Sequence, residues 1–312
     1  MNQTEPAQLT ENFFSRLTLG TVQFGLPYGV ANRTGQPGID QVRDIVKAAL
    51  DGGVTTLDTA AAYGTSEEVL GCVLHELGVT ERVKVITKVR PLTPAEVADP
   101  DAAAHAITAS VDTSRQRLRV ECLTMVLFHR EADACHLQHL ETLKKKGWLR
   151  YAGVSCDNRP GPASTFTERR GVDALQLPVN ILDRRHLRAG SIDAAVKNSV
   201  KLFARGAFLQ GLLMMPEEHL PPVLRDVVPV RKALEGIADG AGVSMAELSL
   251  RYLLGLTGIT SVLTGVETVS QIQENLEHVK RGPLSVDVMD AIDAVVPDLP
   301  ETLLTPSFWP ST

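Results

Sequence analysis

Eight short aliphatic and β-branched runs recur along the chain: Leu17–Thr21, Thr55–Asp58, Val83–Lys88, Met125–Phe128, Tyr151–Ser155, Ala174–Leu177, Val200–Ala204 and Ser261–Thr264. Longer stretches of helical period separate them. This alternation is how repeated βαβ units look in sequence, and such units assemble into a parallel sheet. Eight of them favour closure into a barrel over an open doubly wound sheet. No GxGxxG follows an early strand, so a Rossmann nucleotide site has no support. The expected architecture is a single (β/α)8 barrel domain spanning residues 1–312, with residues 1–15 as a flexible N-terminal tail. Residues 296–312 form a C-terminal tail that extends over the barrel mouth.

The spacing predicts helices over Asp40–Asp51, Ser66–Leu77, Asp101–Leu118, Ala134–Lys146, Ser191–Lys197, Val230–Ala241, Met245–Gly255 and Val286–Val295, with a weak segment after Pro160. Ser66, followed by Glu67 and Glu68, reads as a hydroxyl cap on a helix start. Ser244 and Glu247 read as a capping box.

Hydrophobic residues make up 44% and charged residues 22% of the chain, which suits an ordinary globular core. The net charge of −6 is spread without long blocks, and Lys144–Lys146 reads as a solvated helix end, so no nucleic-acid partner is expected. No run reaches the roughly 18 apolar residues that a membrane span needs, and no basic-then-apolar leader opens the chain. These features point to a cytoplasmic protein with no membrane partner. The cysteines Cys72, Cys122, Cys135 and Cys156 form no CxxC pair and read as reduced thiols. Cys135, His136 and His139 share a helix with a buried leucine stripe and lack a distant partner motif, so no metal site is expected.

In a (β/α)8 barrel, chemistry gathers at the C-terminal ends of the strands. Four polar residues fall at such ends or in the turn just beyond: Asp58 after "VTTL", Tyr63 in "DTAAAYG", Lys88 closing "VKVITK", and His129 after "MVLF". Singly, these would read as a helix cap, a surface tyrosine, an exposed lysine and a core histidine. Their convergence on one mouth makes them candidate catalytic groups.

The chain resembles the aldo-keto reductases from about Leu17 to about Asn275. The motifs that carry the likeness are "LTLGTVQFG", "GGVTTLDTAAAYGTSEEVLG", "ITK", "LFHR", "GVSC", "DALQLPVN", "FLQGLL" and "TGVETVSQIQEN". By this resemblance Asp58, Tyr63, Lys88 and His129 occupy the family's catalytic tetrad. The chemistry has a reason for each. Hydride arriving at a carbonyl carbon leaves charge on oxygen, which needs a proton donor. A phenol titrates near 10 and is a poor acid at neutral pH; a lysine cation favours phenolate, and an aspartate keeps that cation charged and aimed. The histidine would orient the carbonyl oxygen.

The resemblance also implies NADP(H) or NAD(H), held in a groove across the mouth. Thr21, Ser155 with Cys156, and Gln176 match the residues near nicotinamide, although Cys156 stands where the family has Asn and removes an amide. Arg205 stands where many relatives place a stacking aromatic ring, a role a planar guanidinium can take. Gln210 and Gly211 would follow the pyrophosphate, with Gly211 allowing close backbone approach. Gly265 to Asn275 would bind phosphate through free N–H groups at a helix start, and Gln271, Glu274 and Asn275 match the adenine-side residues. Glu267 would repel a 2′-phosphate and favour NADH against the family habit.

The expected function is reduction of an aldehyde or ketone, with Arg90 just beyond Lys88 and the low aromatic content favouring a polar carbonyl such as a sugar aldehyde or ketose. Phe308 and Trp309 are expected near a lid. The expected partners are a small carbonyl substrate and, in assembly, a monomer or small homo-oligomer. Two other readings are a cofactor-binding redox sensor for a partner, and a metal-dependent barrel isomerase or hydrolase. The second lacks converging carboxylates and strand-end histidine pairs.

Overall fold

Each of the eight runs forms a strand in the computed structural model, which describes residues 13–32, 35–169 and 171–309. The strands are β1 (Leu17–Gly20), β2 (Thr56–Asp58), β3 (Lys84–Val89), β4 (Leu123–Phe128), β5 (Leu149–Ser155), β6 (Ala174–Pro178), β7 (Lys201–Arg205) and β8 (Ser261–Gly265). All neighbours are parallel, and β8 closes on β1 to complete a barrel in sequence order. Register pairs such as Gly20↔Asp58 and Ser155↔Gln176 bring the C-terminal strand ends level. The chain is thus a (β/α)8 barrel ringed by helices, and no described helix is long and apolar enough to cross a membrane.

Two apolar layers follow from strand geometry, because successive side chains point to opposite faces. Phe14, Ile86, Met125, Leu127, Ala174, Phe203 and Leu263 form one cluster inside the barrel. The alternate residues Val126, Phe128, Leu175, Leu177, Leu202 and Ala204 belong to the larger layer between barrel and helices. The same alternation aims the site. Two residues beyond the interior Ile86, Leu127, Ala174, Phe203 and Leu263 stand Lys88, His129, Gln176, Arg205 and Gly265. In each of these five strands an inward apolar residue is therefore followed by an inward functional candidate at the mouth.

Residues 1–12 of the expected N-terminal tail lie outside the described residues, but Phe14 and Ser15 are packed, which corrects the tail reading there. Phe14 is buried and meets Phe203 edge-on at 5.2 Å, flooring the barrel. Ser15 Oγ accepts from the amides of Thr55 and Thr56. An open barrel bottom would expose the interior cluster, and Phe14 covers it.

The C-terminal segment is likewise docked. Leu303, Leu304 and Trp309 are buried, Asn158 donates to the Leu304 carbonyl at 3.3 Å, and Arg185 donates to Thr305 Oγ1 at 3.2 Å. Pro306 reaches the mouth cavity. Trp309 is instead packed with its indole donating to the Thr302 carbonyl, and Phe308 is exposed.

Two cap readings change. Ser66 is the first residue of its helix and makes no cap; its buried hydroxyl donates to the Thr21 carbonyl at 2.7 Å and accepts from Thr59 Oγ1 at 3.0 Å, tying the ends of β1 and β2 together. Ser244 does cap, accepting from the Glu247 amide, but the Glu247 carboxylate bonds Arg251 and Arg281 rather than closing the box.

Candidate active site

Lys88 is the buried centre of the mouth. Its ammonium donates to Asp58 Oδ1 at 2.7 Å and to the Thr59 carbonyl at 2.9 Å, with both side chains nearly inaccessible. Gln176 donates to the other Asp58 oxygen at 2.7 Å, so both carboxylate oxygens are satisfied. Burial by itself would lower the lysine pKa, but Asp58 and then Tyr63 outweigh it and hold the ammonium above its usual range. The Lys88 nitrogen lies 4.9 Å from the centroid of the Tyr63 ring. The His129 ring stands edge-on to that ring at 5.5 Å. The four residues therefore converge.

A tight turn places Tyr63. Its amide donates to the Ala60 carbonyl and its carbonyl accepts from the Ser66 amide. Gly25 packs directly on this turn: a Cβ there would fall 1.9 Å from the Tyr63 carbonyl oxygen, so only glycine permits the approach.

Burial, with the nearby Lys88 and Arg205 charges, pushes the His129 pKa down to about 3, so its ring is neutral in the neutral range. A depressed folded value means that the unfolded chain takes up the proton first as pH falls. The stability contribution is therefore full above about 6.5 and is lost as pH drops from there towards 3. Stability of the parent protein is expected to decline more steeply over that window than that of His129→Asn, measured by urea unfolding at stepped pH. Equal slopes would show that His129 titrates as an exposed histidine does.

Around this centre a cavity of about 810 Å³ opens. Thr21, Asp58, Tyr63, His129, Ser155, Gln176 and Arg205 line it at the catalytic end; Gln210, Gly211, Gly265, Glu267, Gln271, Glu274 and Asn275 line it elsewhere. Several expected contacts are changed by existing bonds. The Thr21 hydroxyl donates to the Asp58 carbonyl at 2.9 Å, which makes it a brace for β2. Gln176 gives one of its two amide N–H bonds to Asp58, and its Oε1 accepts from Ser155 Oγ at 3.5 Å.

Cys156 does not line the cavity, because its position one residue past Ser155 turns the side chain outward. It is fully buried, and burial, then the Glu131 carboxylate beside it, push its thiol well up. Asn158 reaches the cavity instead. Arg90 is also absent from the lining; its guanidinium grips Glu96 at 2.6 and 2.9 Å, which removes it as a guide to substrate polarity.

At the far end, helix Val269–Lys280 begins with a complete capping box. Thr268 Oγ1 accepts from the Gln271 amide, while Gln271 Oε1 accepts from the amides of Glu267 and Thr268. Three of the amides expected to meet phosphate are thus engaged internally. Gly211 makes its close approach to Ala31, where a Cβ would fall 2.4 Å from the alanine methyl. Tyr28, Asn180, Phe208 and Met214 also line the cavity, unforeseen from sequence. Asn180 lies on the inward parity of Gln176, so strand alternation carried that signal.

The aldo/keto reductase family model matches residues 16–297. The chain belongs to the aldo/keto reductase family. Among relatives, it is 24% identical to the uncharacterized oxidoreductase YqkF of Bacillus subtilis, over 80% of this chain and 86% of that protein. It is 25% identical to an L-glyceraldehyde 3-phosphate reductase of Escherichia coli O157:H7, over 83% of this chain and 85% of that one. It is also 26% identical to a probable voltage-gated potassium channel subunit beta of Arabidopsis thaliana, over 92% and 96% of the two chains. In structure this aldo/keto reductase is similar to aldo-keto reductase AKR11C1 from Bacillus halodurans in its holo form, with a TM-score of 0.76, 22% identity, and 93% and 95% of the two chains covered. The family and its oxidoreductase relatives support carbonyl reduction with NAD(P)H in general.

Proposed function

We propose that this chain reduces an aldehyde or ketone to an alcohol, with Tyr63 as proton donor, Lys88 and Asp58 as the charge pair beneath it, and His129 as the orienting group. The observation that carries this reading is the buried Lys88–Asp58 pair at 2.7 Å, with the Tyr63 ring over the ammonium and His129 beside that ring. Among the described residues, His129 Nδ1 is buried without a partner, which leaves Nε2 for the cavity. As a neutral ring protonated at Nε2 it donates to a carbonyl oxygen. The substrate oxygen would then sit between phenol and imidazole, receiving the phenolic proton as charge develops on it.

The cavity suits a dinucleotide in its residues as well as its size. Ser155 Oγ and Gln176 Oε1 would face the nicotinamide amide, while Gln271, Glu274 and Asn275 would face adenosine. Gly265 lets the Gln23 amide group pack against the strand end, since a Cβ there would come 2.6 Å from it. Bound NAD(P)H supplies the hydride. A panel of aldehydes and ketones run with both reduced cofactors tests the reading: turnover of some member supports it, and no turnover with either cofactor would remove it in favour of a cofactor-binding regulatory subunit.

The carboxylates Glu267 and Glu274 both line the adenosine end, where a 2′-phosphate would bring more negative charge. NADH is therefore expected to bind at least comparably with NADPH. Glu267→Arg should shift the ratio of dissociation constants towards NADPH by about tenfold, the equivalent of about 1.4 kcal/mol. Fluorescence titration of both cofactors checks this; a parent that strongly prefers NADPH, with a ratio unmoved by the substitution, would place Glu267 away from the phosphate.

A further inference from the structure

Arg205 is the cation at the catalytic end of the cavity for which the active-site chemistry gives no use. It follows the interior Phe203 on β7, so strand alternation turns it into the mouth, where it lines the cavity with Tyr63, His129 and Asn180. One donor is engaged: Nη2 reaches the Cys156 carbonyl at 2.8 Å. Among the described residues Nε is buried with no partner, and no carboxylate forms an ion pair with this guanidinium. Lys88, by contrast, is matched by Asp58.

Other charges nearby leave that position electropositive. Glu131 feels the Arg205 charge, but it lies outside the cavity lining, accepts from the Asp157 amide at Oε1, and is pushed towards its neutral form by burial. The arginine in turn helps hold the His129 ring neutral, so Arg205 is not offset there. Asn180 adds a polar edge: its Oδ1 accepts from the amides of Leu182 and Asp183, and its NH2 makes no hydrogen bond among the described residues. A guanidinium fork with unfilled donors and an amide NH2 lining the same cavity together match an anion.

We propose that Arg205, with Asn180 beside it, selects carbonyl substrates that carry an anionic group, a carboxylate or a phosphate. This rests on the reductase reading and makes Arg205 a substrate residue rather than a stand-in for a ring stacked on nicotinamide. The test compares kcat/KM within two pairs of aldehydes that differ in charge: 4-carboxybenzaldehyde against methyl 4-formylbenzoate, and glyceraldehyde 3-phosphate against glyceraldehyde. The parent is expected to favour the charged member of at least one pair by about tenfold or more, the scale of a charge-assisted hydrogen bond, and the pair showing it identifies carboxylate or phosphate. Arg205→Gln should bring that ratio close to one, and Arg205→Lys should retain part of it, which separates lost charge from lost folding.

A parent ratio near one in both pairs, or a ratio unchanged in Arg205→Gln, overturns the proposal. A weakened NADPH dissociation constant with an unchanged ratio assigns Arg205 to the cofactor instead. If no aldehyde is turned over, the reductase reading fails separately, and calorimetry of 4-carboxybenzaldehyde and its methyl ester analogue with and without NADPH decides for Arg205. Tighter binding of the anion that disappears in Arg205→Gln upholds the selection, and equal binding ends it.

Discussion

Tyr63→Phe is expected to lower kcat by roughly three or more orders of magnitude while the dissociation constant of the reduced cofactor changes little. The substitution removes one hydroxyl from a ring that the Gly25 contact and the Ala60–Ser66 turn hold in place, so neither the turn nor the cavity walls need move. What is lost is the donor at the oxygen where charge develops. Steady-state rates with a substrate of the parent, together with cofactor titration, separate the two effects. A purified variant that keeps near-normal kcat would sink the assignment, and a variant that loses cofactor binding as well would show that Tyr63 shapes the groove.

Lys88→Met is expected to be as damaging to the rate and more damaging to the fold. Its ammonium is buried and bonded to Asp58 and to the Thr59 carbonyl, so methionine leaves a buried carboxylate with only the Gln176 amide as partner. Breaking a buried pair from one side destabilises by about 3–5 kcal/mol. Chemical denaturation should show that loss, and the folded fraction should show the rate loss after correction for stability. The pH profile of kcat/KM discriminates further: with no cation beneath the phenol, the ionisation that governs proton delivery should move or vanish. Parent activity with the same profile would make Lys88 a structural residue.

Much of this was legible in the sequence because strand alternation is a local rule. Asp58, Lys88 and His129 could be placed at one mouth from the ends of their apolar runs, since a strand buried on both faces has an interior side that must emerge somewhere. Tyr63 lies in the turn beyond β2, where alternation does not reach, and it was the "DTAAAYG" motif and its family resemblance that marked it. Cys156 shows the limit of motif matching: it falls beside Ser155 in sequence, yet one step along a strand reverses the side chain and takes the thiol out of the cavity.

Only the tertiary structure decided how polar groups were shared. Thr21, Gln176 and Gln271 have the right residue types for a cofactor, but Thr21 is bonded to Asp58, Gln176 is half engaged by the same residue, and Gln271 closes its own helix cap. Arg90 lies next in line to Lys88 and is withdrawn by Glu96, whereas Arg205 meets no such carboxylate among the described residues. Sequence fixes which side chains a strand turns inward, because that depends on a two-residue period. Which donors and acceptors remain for a ligand depends on partners far along the chain, and the closed barrel is what brings those partners together.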